Sequence, residues 1–173
     1  MDVDRQLVEA CRGGDSEAYA ELAKRYSRSV FAACLGTLGN VQDAEDVSQE
    51  ALIKGLACIG GLRDGAQFGP WLLKVARNLC LDHARRKKRG LEIAALQGGD
   101  RRPLADEYAD LREAIARLSE KYRLPLMLYY FDGRSTESVA RALEISTDGA
   151  LTRLSRARKK LRKLIDSEEV PHE

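Results

Sequence analysis

"LTRLSRARKKLRKLI", Leu151 to Ile165, holds seven Lys or Arg residues and no acid. Leu151, Leu154, Ala157, Leu161 and Leu164 or Ile165 recur at intervals of three and four, the period of a helix that buries one stripe. Arg153, Arg156, Lys159, Lys160 and Lys163 must then point mainly away from that stripe. A solvated helix ordinarily mixes its signs, because like charges four apart repel by ~0.2–0.5 kcal/mol per pair. This helix does not mix them, so its outer face suits an anion. Just upstream, Ser135 is placed to cap a short helix with Val139, Ala140 and Leu143, and "EISTDG", Glu144 to Gly149, forms a turn. Short helix, tight turn, basic helix is the helix-turn-helix layout, whose second helix enters the major groove of DNA.

Helical period extends over almost the whole chain, and strand alternation is nearly absent, so the fold class is all-α. Leu7, Val8 and Cys11 mark a first helix ended by Gly13 and Gly14, and Ser16 is placed to cap a second that runs to Leu38. Its stripe is Tyr19, Leu22, Ala23, Tyr26, Val30, Phe31, Cys34, Leu35 and Leu38. A third helix is expected over Asp43 to Ile59, then a glycine-rich loop over Gly60 to Gly69. A fourth opens with Pro70 at its first position and buries Trp71, Leu72, Val75, Ala76 and Leu79. These four helices close one small bundle, residues 1–90. Residues 91–108, with "QGGDRRP", have the composition of a flexible linker with a short helical piece at Glu92 to Leu96. The second domain, 109–168, starts with a helix holding Leu111, Ile115 and Leu118. Ser119 caps the next, and Pro125 is expected to start or kink regular helix rather than sit inside it. Residues 169–173 are a tail.

The 173 residues carry 29 Lys plus Arg against 27 Asp plus Glu, so the distribution of charge matters more than the total of +2. No apolar run approaches the ~20 residues that span a bilayer, and the acidic start "MDVDRQ" is unlike a signal peptide, so a cytoplasmic protein without membrane insertion is expected. Cys11, Cys34, Cys58 and Cys80 form no close pair and lie among apolar helical positions. They are expected to be reduced, buried, small hydrophobes, with no metal and no cofactor. No nucleophile stands beside a base and no phosphate loop is present, so nothing points to an enzyme.

A second basic site, Arg85 to Arg89, closes the fourth helix. Upstream of it Lys74, Arg77, Asn78, Asp82 and Arg85 share the polar side, beside the loop carrying Arg63, Asp64 and Gln67. Asn and Arg next to such a loop can hydrogen-bond single-stranded bases as well as phosphate, with Phe68 and Trp71 the only aromatic surface at hand. The acidic run "DAEDVSQEAL", Asp43 to Leu52, cannot contact DNA; it either complements the helix dipole as a solvated face or docks a protein.

With these segments in view, the chain resembles the extracytoplasmic-function sigma factors of bacterial RNA polymerase. "DAEDVSQEALIKGL" is similar to the family's second conserved region, and "FGPWLLKVARNLCLDHARRKKR" to its Trp-Leu and Ala-Arg-Asn helix. "LREAIARLSEKYRLPLMLYYFDGRSTESVARALEIST" with "TRLSRARKKLRKLI" is similar to its fourth region. The resemblance implies a region 2 bundle, a region 4 helix-turn-helix, and a protein that recruits the polymerase to promoter DNA without being an enzyme. It implies that Asp43, Glu45, Asp46, Gln49 and Glu50 dock on the β′ clamp helices, while the β flap holds the second domain. It implies that Arg63, Asp64, Gln67, Arg77, Asn78, Asp82, Arg85 and Arg86 face the −10 element as it opens. Thr147, Thr152, Arg153, Arg156, Arg158 and Lys159 would face the −35 duplex. The family's usual regulator is an anti-sigma factor.

The chain departs from the family pattern at two places. Glu144 stands at the helix-turn-helix turn where the family often has Gly, and a positive φ there costs ~1 kcal/mol. Asp148, Gly149, Ala150 and Leu151 open the last helix where a small polar pair and a Lys are usual, so readout falls to Thr152, Arg153 and Arg156 or to DNA shape. Two other readings remain open at this stage: an autonomous helix-turn-helix regulator, and a degenerate relative that titrates a partner.

Overall fold

A computed structural model of the protein describes residues 3–94 and 109–166. Among the described residues, eight α-helices follow one another: α1 Val3–Arg12, α2 Ser16–Leu38, α3 Val41–Cys58, α4 Phe68–Ala94, α5 Ala109–Arg117, α6 Glu120–Leu126, α7 Thr136–Ala142 and α8 Thr147–Asp166. Short 3-10 turns at Ile59–Gly61 and Gly65–Gln67 join α3 to α4, and a π-helical turn, Met127–Phe131, extends α6.

The helix ends follow their side-chain chemistry. Asp15, not Ser16, caps α2: its carboxylate accepts from the N–H groups of Glu17 at 2.9 Å and Ala18 at 3.1 Å. Those donors have no partner within the helix, and a carboxylate also complements the positive end of the dipole. Gly39 ends α2 in the left-handed region at φ 71°, and Asn40 caps α3 through the Asp43 N–H, so α3 begins at Val41, earlier than expected. α4 begins at Phe68, which makes Pro70 its third residue; a proline costs nothing there, because no first-turn N–H has a helical acceptor. α4 also continues through residues 91–94, assigned to the linker by composition; residues 95–108 of that linker and the 167–173 end lie outside the described residues.

Pro125 lies inside α6, against expectation. The backbone accommodates it by widening immediately afterwards: Asp132 N–H reaches back five residues to Met127 O at 3.1 Å, as in a π turn. Ser119 occupies the cap position of α6 without a side-chain cap bond, whereas Ser135 caps α7 through Ser138 N–H at 3.2 Å.

α2 is the central element, packed against α1, α3, α4, α6 and the π turn. One side carries Tyr19, Leu22, Val30 and Cys34 of the expected stripe into a core with Val47, Ala51, Phe68, Leu72, Ala76 and Cys80. A second side, Ser29, Ala32, Ala33 and Gly36, is also buried, and small residues there let the C-terminal helices come close. Leu124, Leu128, Val139, Ala140 and Ala150 therefore join the same core, and Leu118, Leu126 and Ala157 form a smaller cluster beyond it. Cys34 and Cys80 are buried as expected; Cys58 is exposed. The Cys80 thiol is held far above its ordinary pKa by its hydrogen bond with Cys34 and by burial.

Because Asp15 carries the α2 cap, Asp15→Ala should lower the unfolding free energy by about 0.5–2 kcal/mol. Ser16→Ala should stay within about 0.5 kcal/mol. Urea denaturation of the two variants compares them directly, and equal midpoints would contradict the assignment.

Candidate nucleic-acid and protein interfaces

α3 buries Ala44, Val47, Ser48, Ala51 and Gly55 against α2 and α4, so its opposite side faces solvent. Glu45, Asp46, Gln49 and Glu50 stand on that exposed side. Ile53, 71% exposed, and Leu56, 50% exposed, continue the same face. Two large aliphatic side chains beside three carboxylates form an acidic, apolar strip suited to a protein partner rather than to water alone. The sequence signal for Ile53 and Leu56 was their position off the Ala44, Val47, Ala51 and Gly55 stripe.

Asp43 does not belong to this strip. It turns toward α4, where Lys87 Nζ hydrogen-bonds its carboxylate and His83 Nε2 lies 3.3 Å away. Burial pushes the Asp43 carboxyl up, but the Lys87 hydrogen bond and charge, with His83, overcome it and hold the pKa below its ordinary value. Lys87, one of the five consecutive bases, is thus committed to tying α3 to α4.

α4 presents Lys74, Arg77, Asn78, Asp82, Arg85 and Arg86 to solvent, and Arg63 and Gln67 are exposed in the loop at its start. The helical period places Lys74, Asn78 and Arg85 on one line, with Arg77 and Asp82 flanking it. Arg85 Nη1 donates to Asp82 at 3.2 Å. Asp64 is used structurally: it caps the Gly65–Gln67 turn through Ala66 N–H at 3.1 Å and pairs with Arg5 of α1 at 3.0 Å. The Ala66 N–H first, and then Arg5, hold its carboxyl below the ordinary range. Phe68 offers no stacking surface, because it is fully buried between Tyr26, 5.4 Å away edge-on, and Trp71 at 5.8 Å.

α8 buries Ala150, Leu154 and Ala157; Leu151, expected in that stripe, is 50% exposed, one residue out of phase. Thr152, Arg156 and Lys159 share the exposed side, Arg158 flanks them within 3.5 Å of Tyr130 Oη, and Arg153 and Thr147 are half-buried at the edge. Lys160 instead lies over the Tyr122 ring, 5.5 Å from its centroid. Ser146 caps α8 by accepting from Gly149 N–H at 3.1 Å, which leaves Asp148 exposed in the first turn. The turn before it has the expected strain, with Glu144 at φ 54°.

Three carboxylates and two aliphatics on α3, a polar and basic side on α4, and a basic side on α8 are therefore separate surfaces of one chain. Family models for Sigma-70 region 2 and for Sigma-70, region 4 match residues 22–90 and 108–161 respectively. The ECF RNA polymerase sigma factor SigM of Mycobacterium tuberculosis is 30% identical over 168 residues, covering 94% of this chain and 84% of that one. SigW of Bacillus subtilis, another ECF RNA polymerase sigma factor, is 29% identical over 177 residues, covering 92% and 95%. Among solved structures, CnrH in complex with the cytosolic domain of CnrY superposes with a TM-score of 0.70 at 22% identity, over 97% of this chain and all of that one. The sigma factor RpoE of Bartonella quintana, in complex with the anti-sigma factor NepR, gives 0.67 at 21% identity, over 86% and 96%. At those identities the two structures speak for the fold.

The Asp43 contacts make a pH-dependent prediction. A carboxyl whose folded pKa is depressed stabilises the fold above its unfolded value, and that stability is lost as the pH falls through the folded pKa. Asp43→Asn should therefore cost about 1 kcal/mol at pH 7, and the difference from the parent should shrink once the pH drops below about 4. Denaturation curves at pH 7 and pH 3 test this, and a cost that is unchanged at pH 3 contradicts it.

Proposed function

The chain belongs to the extracytoplasmic-function sigma factors of RNA polymerase, DNA-binding factors of transcription initiation, and from that premise we propose how its surfaces divide the work. Residues 1–90 act as the region 2 domain, 91–108 as the connection and 109–168 as the region 4 domain. The strip Glu45, Asp46, Gln49, Glu50, Ile53 and Leu56 docks on the β′ clamp helices of core polymerase. Its aliphatics supply contact area and its carboxylates supply orientation and on-rate, as charges at the rim of an interface do. The observation that carries this reading is that α3 exposes Ile53 and Leu56 beside those acids, on the side away from its own core.

The α4 side takes the −10 element. Arg85 and Arg86 hold phosphate, Arg63, Gln67 and Asn78 lie where an unstacked base can be hydrogen-bonded, and Asp82 orients Arg85. Asp64 acts through the loop it caps rather than by touching DNA. On α8, Arg156 and Lys159 hold the −35 backbone while Thr152 reaches base edges. The exposed Leu151 adds an apolar contact of the kind that reads a thymine methyl. The protein does no chemistry itself; the polymerase makes the RNA. It works in the cytoplasm, and an anti-sigma factor regulates it, in keeping with the complex that RpoE of Bartonella quintana forms with the anti-sigma factor NepR.

Purified protein added to core polymerase should give promoter-dependent run-off transcripts, whereas tight duplex binding without polymerase and no run-off would overturn the sigma assignment in favour of an autonomous regulator. Within that assay, Asp46→Ala with Glu50→Ala should weaken polymerase binding while leaving the folded state intact. Unchanged binding places the dock elsewhere. Replacing Arg156 and Lys159 by Ala should lower the salt slope of −35 binding by about 0.9 per lost phosphate contact. A change of sequence preference at constant slope would make them base readers instead.

A further inference from the structure

α1 lies outside residues 22–90, the span matched by the region 2 family model, and the functional reading gives it no task. It packs on both 3-10 turns that lead into α4. Arg5, Val8 and Arg12, three and four positions apart, share the face that meets those turns. Arg12 Nη2 donates to Leu62 O, and Arg12 Nη1 is steadied by Glu9 at 2.8 Å. Arg5 Nη2 donates to Asp64 Oδ1 at 3.0 Å. Val8 is fully buried, and Gly65 comes so close to α1 that a Cβ there would fall 2.8 Å from Arg5 Cα and 3.1 Å from Val8 Cβ.

These contacts fall on either side of one residue. Leu62 and Asp64 are the chain neighbours of Arg63, and each is held by its own α1 arginine, while Arg63 itself is exposed. Gln67, the other exposed residue that the functional reading turns toward the −10 strand, closes the 3-10 turn that Gly65 opens. A further contact secures the exit from the loop: Asp4 of α1 accepts from Tyr26 Oη, and the Tyr26 ring lies so close to Gly69 that a Cβ there would fall 2.5 Å from Tyr26 Cε1. The segment holds Gly60, Gly61, Gly65 and Gly69, and glycine gives up more backbone freedom than any other residue when it is fixed. Ordering such a loop only as a base arrives would subtract from affinity, so a scaffold that orders it beforehand favours binding.

We propose that α1 is a brace for base selection: Arg12 and Arg5 hold the backbone on both sides of Arg63, so that Arg63 and Gln67 meet the opened strand from a fixed position. This rests on the functional reading for what the loop binds, whereas the brace itself is testable without it. Arg5 and Arg12 are positioning residues that act through the loop. The Arg5–Asp64 pair is exposed and weak by itself. The Arg12 bond to the Leu62 carbonyl and the close fit of Gly65 on α1 therefore carry most of the hold.

Arg12→Ala removes the bond to Leu62, and Gly65→Ala pushes the loop off α1 without changing either arginine. In the full chain, either variant should make the amides of residues 60–67 exchange about tenfold faster, with α2, α3 and α4 protected as in the parent. Exchange at the parent's rate in both variants overturns the brace. Each protein is then assembled with core polymerase and used to select from a random-sequence single-stranded DNA pool. The parent should enrich a motif. The variants should lose that enrichment several-fold at its most selective positions while binding the unselected pool as tightly as the parent does, because the phosphate contacts of α4 are untouched. A faster loop with the parent's enrichment makes α1 a stabilising element only and overturns the proposal, as does an equal fall in binding of motif and pool. A parent that enriches no motif overturns the −10 reading and the selection role with it, while the exchange measurement still decides the brace.

Discussion

The arrangement of the whole chain depends on one guanidinium. Arg123 is 8% exposed and sits where α2 and α5 both end. Its Nε donates to Gly36 O at 2.9 Å and its Nη2 to Thr37 O at 2.8 Å. Its Nη1 donates to Ala116 O at 2.6 Å and Leu118 O at 2.9 Å. Carbonyls at helix C-termini lack partners within the helix and carry the negative end of the dipole, so two such ends make a site for a buried cation without a carboxylate. Burial lowers the Arg123 pKa and Glu120 opposes that shift, yet an arginine stays protonated throughout. Each bond from a charged group contributes ~1.5–3 kcal/mol, and four together can offset the loss of hydration. The α2 backbone must also make room: Gly39, at φ 71°, would place a Cβ 2.8 Å from Arg123 Nη1.

From that junction the functional surfaces follow in order. α2 holds α3 on one side with its acidic, aliphatic strip outward, and α4 on another with its cations outward. The C-terminal domain, seated through Arg123, brings carboxylates to those cations. Glu120 and Glu144 of that domain pair with Arg77 and Lys74 on the α4 side.

Much of this was legible in the sequence because it rests on period and local chemistry. All-α character, the extent of α2, the glycine-rich loop, the Ser135 cap and the strained Glu144 turn are each decided within a few residues. The acidic and basic faces were equally local. What escaped was decided by packing across long separations. Ser29, Ala32, Ala33 and Gly36 form a second buried side of α2 that looks merely small in sequence, because its partner lies almost ninety positions away at Leu124. Asp43 and Asp64 belong by type to their surfaces, but Lys87 and Arg5 claim them in three dimensions. Leu151 was misplaced by a single step of phase, since Ala150 serves the α8 stripe as well as Leu does where α7 comes close. Pro125 was tolerated because a π turn follows it, a local widening that periodicity does not signal.

Hydrogen exchange of the full chain, measured alone and after mixing with core polymerase, tests the account most directly, because it reads the dock and the junction together. Peptides covering Glu45 to Leu56 should gain protection, while those at the end of α2 and across α6 should lose it as Arg123 leaves its carbonyls. No gain on α3, or a gain there with the α2 and α6 junction still fully protected, would contradict it.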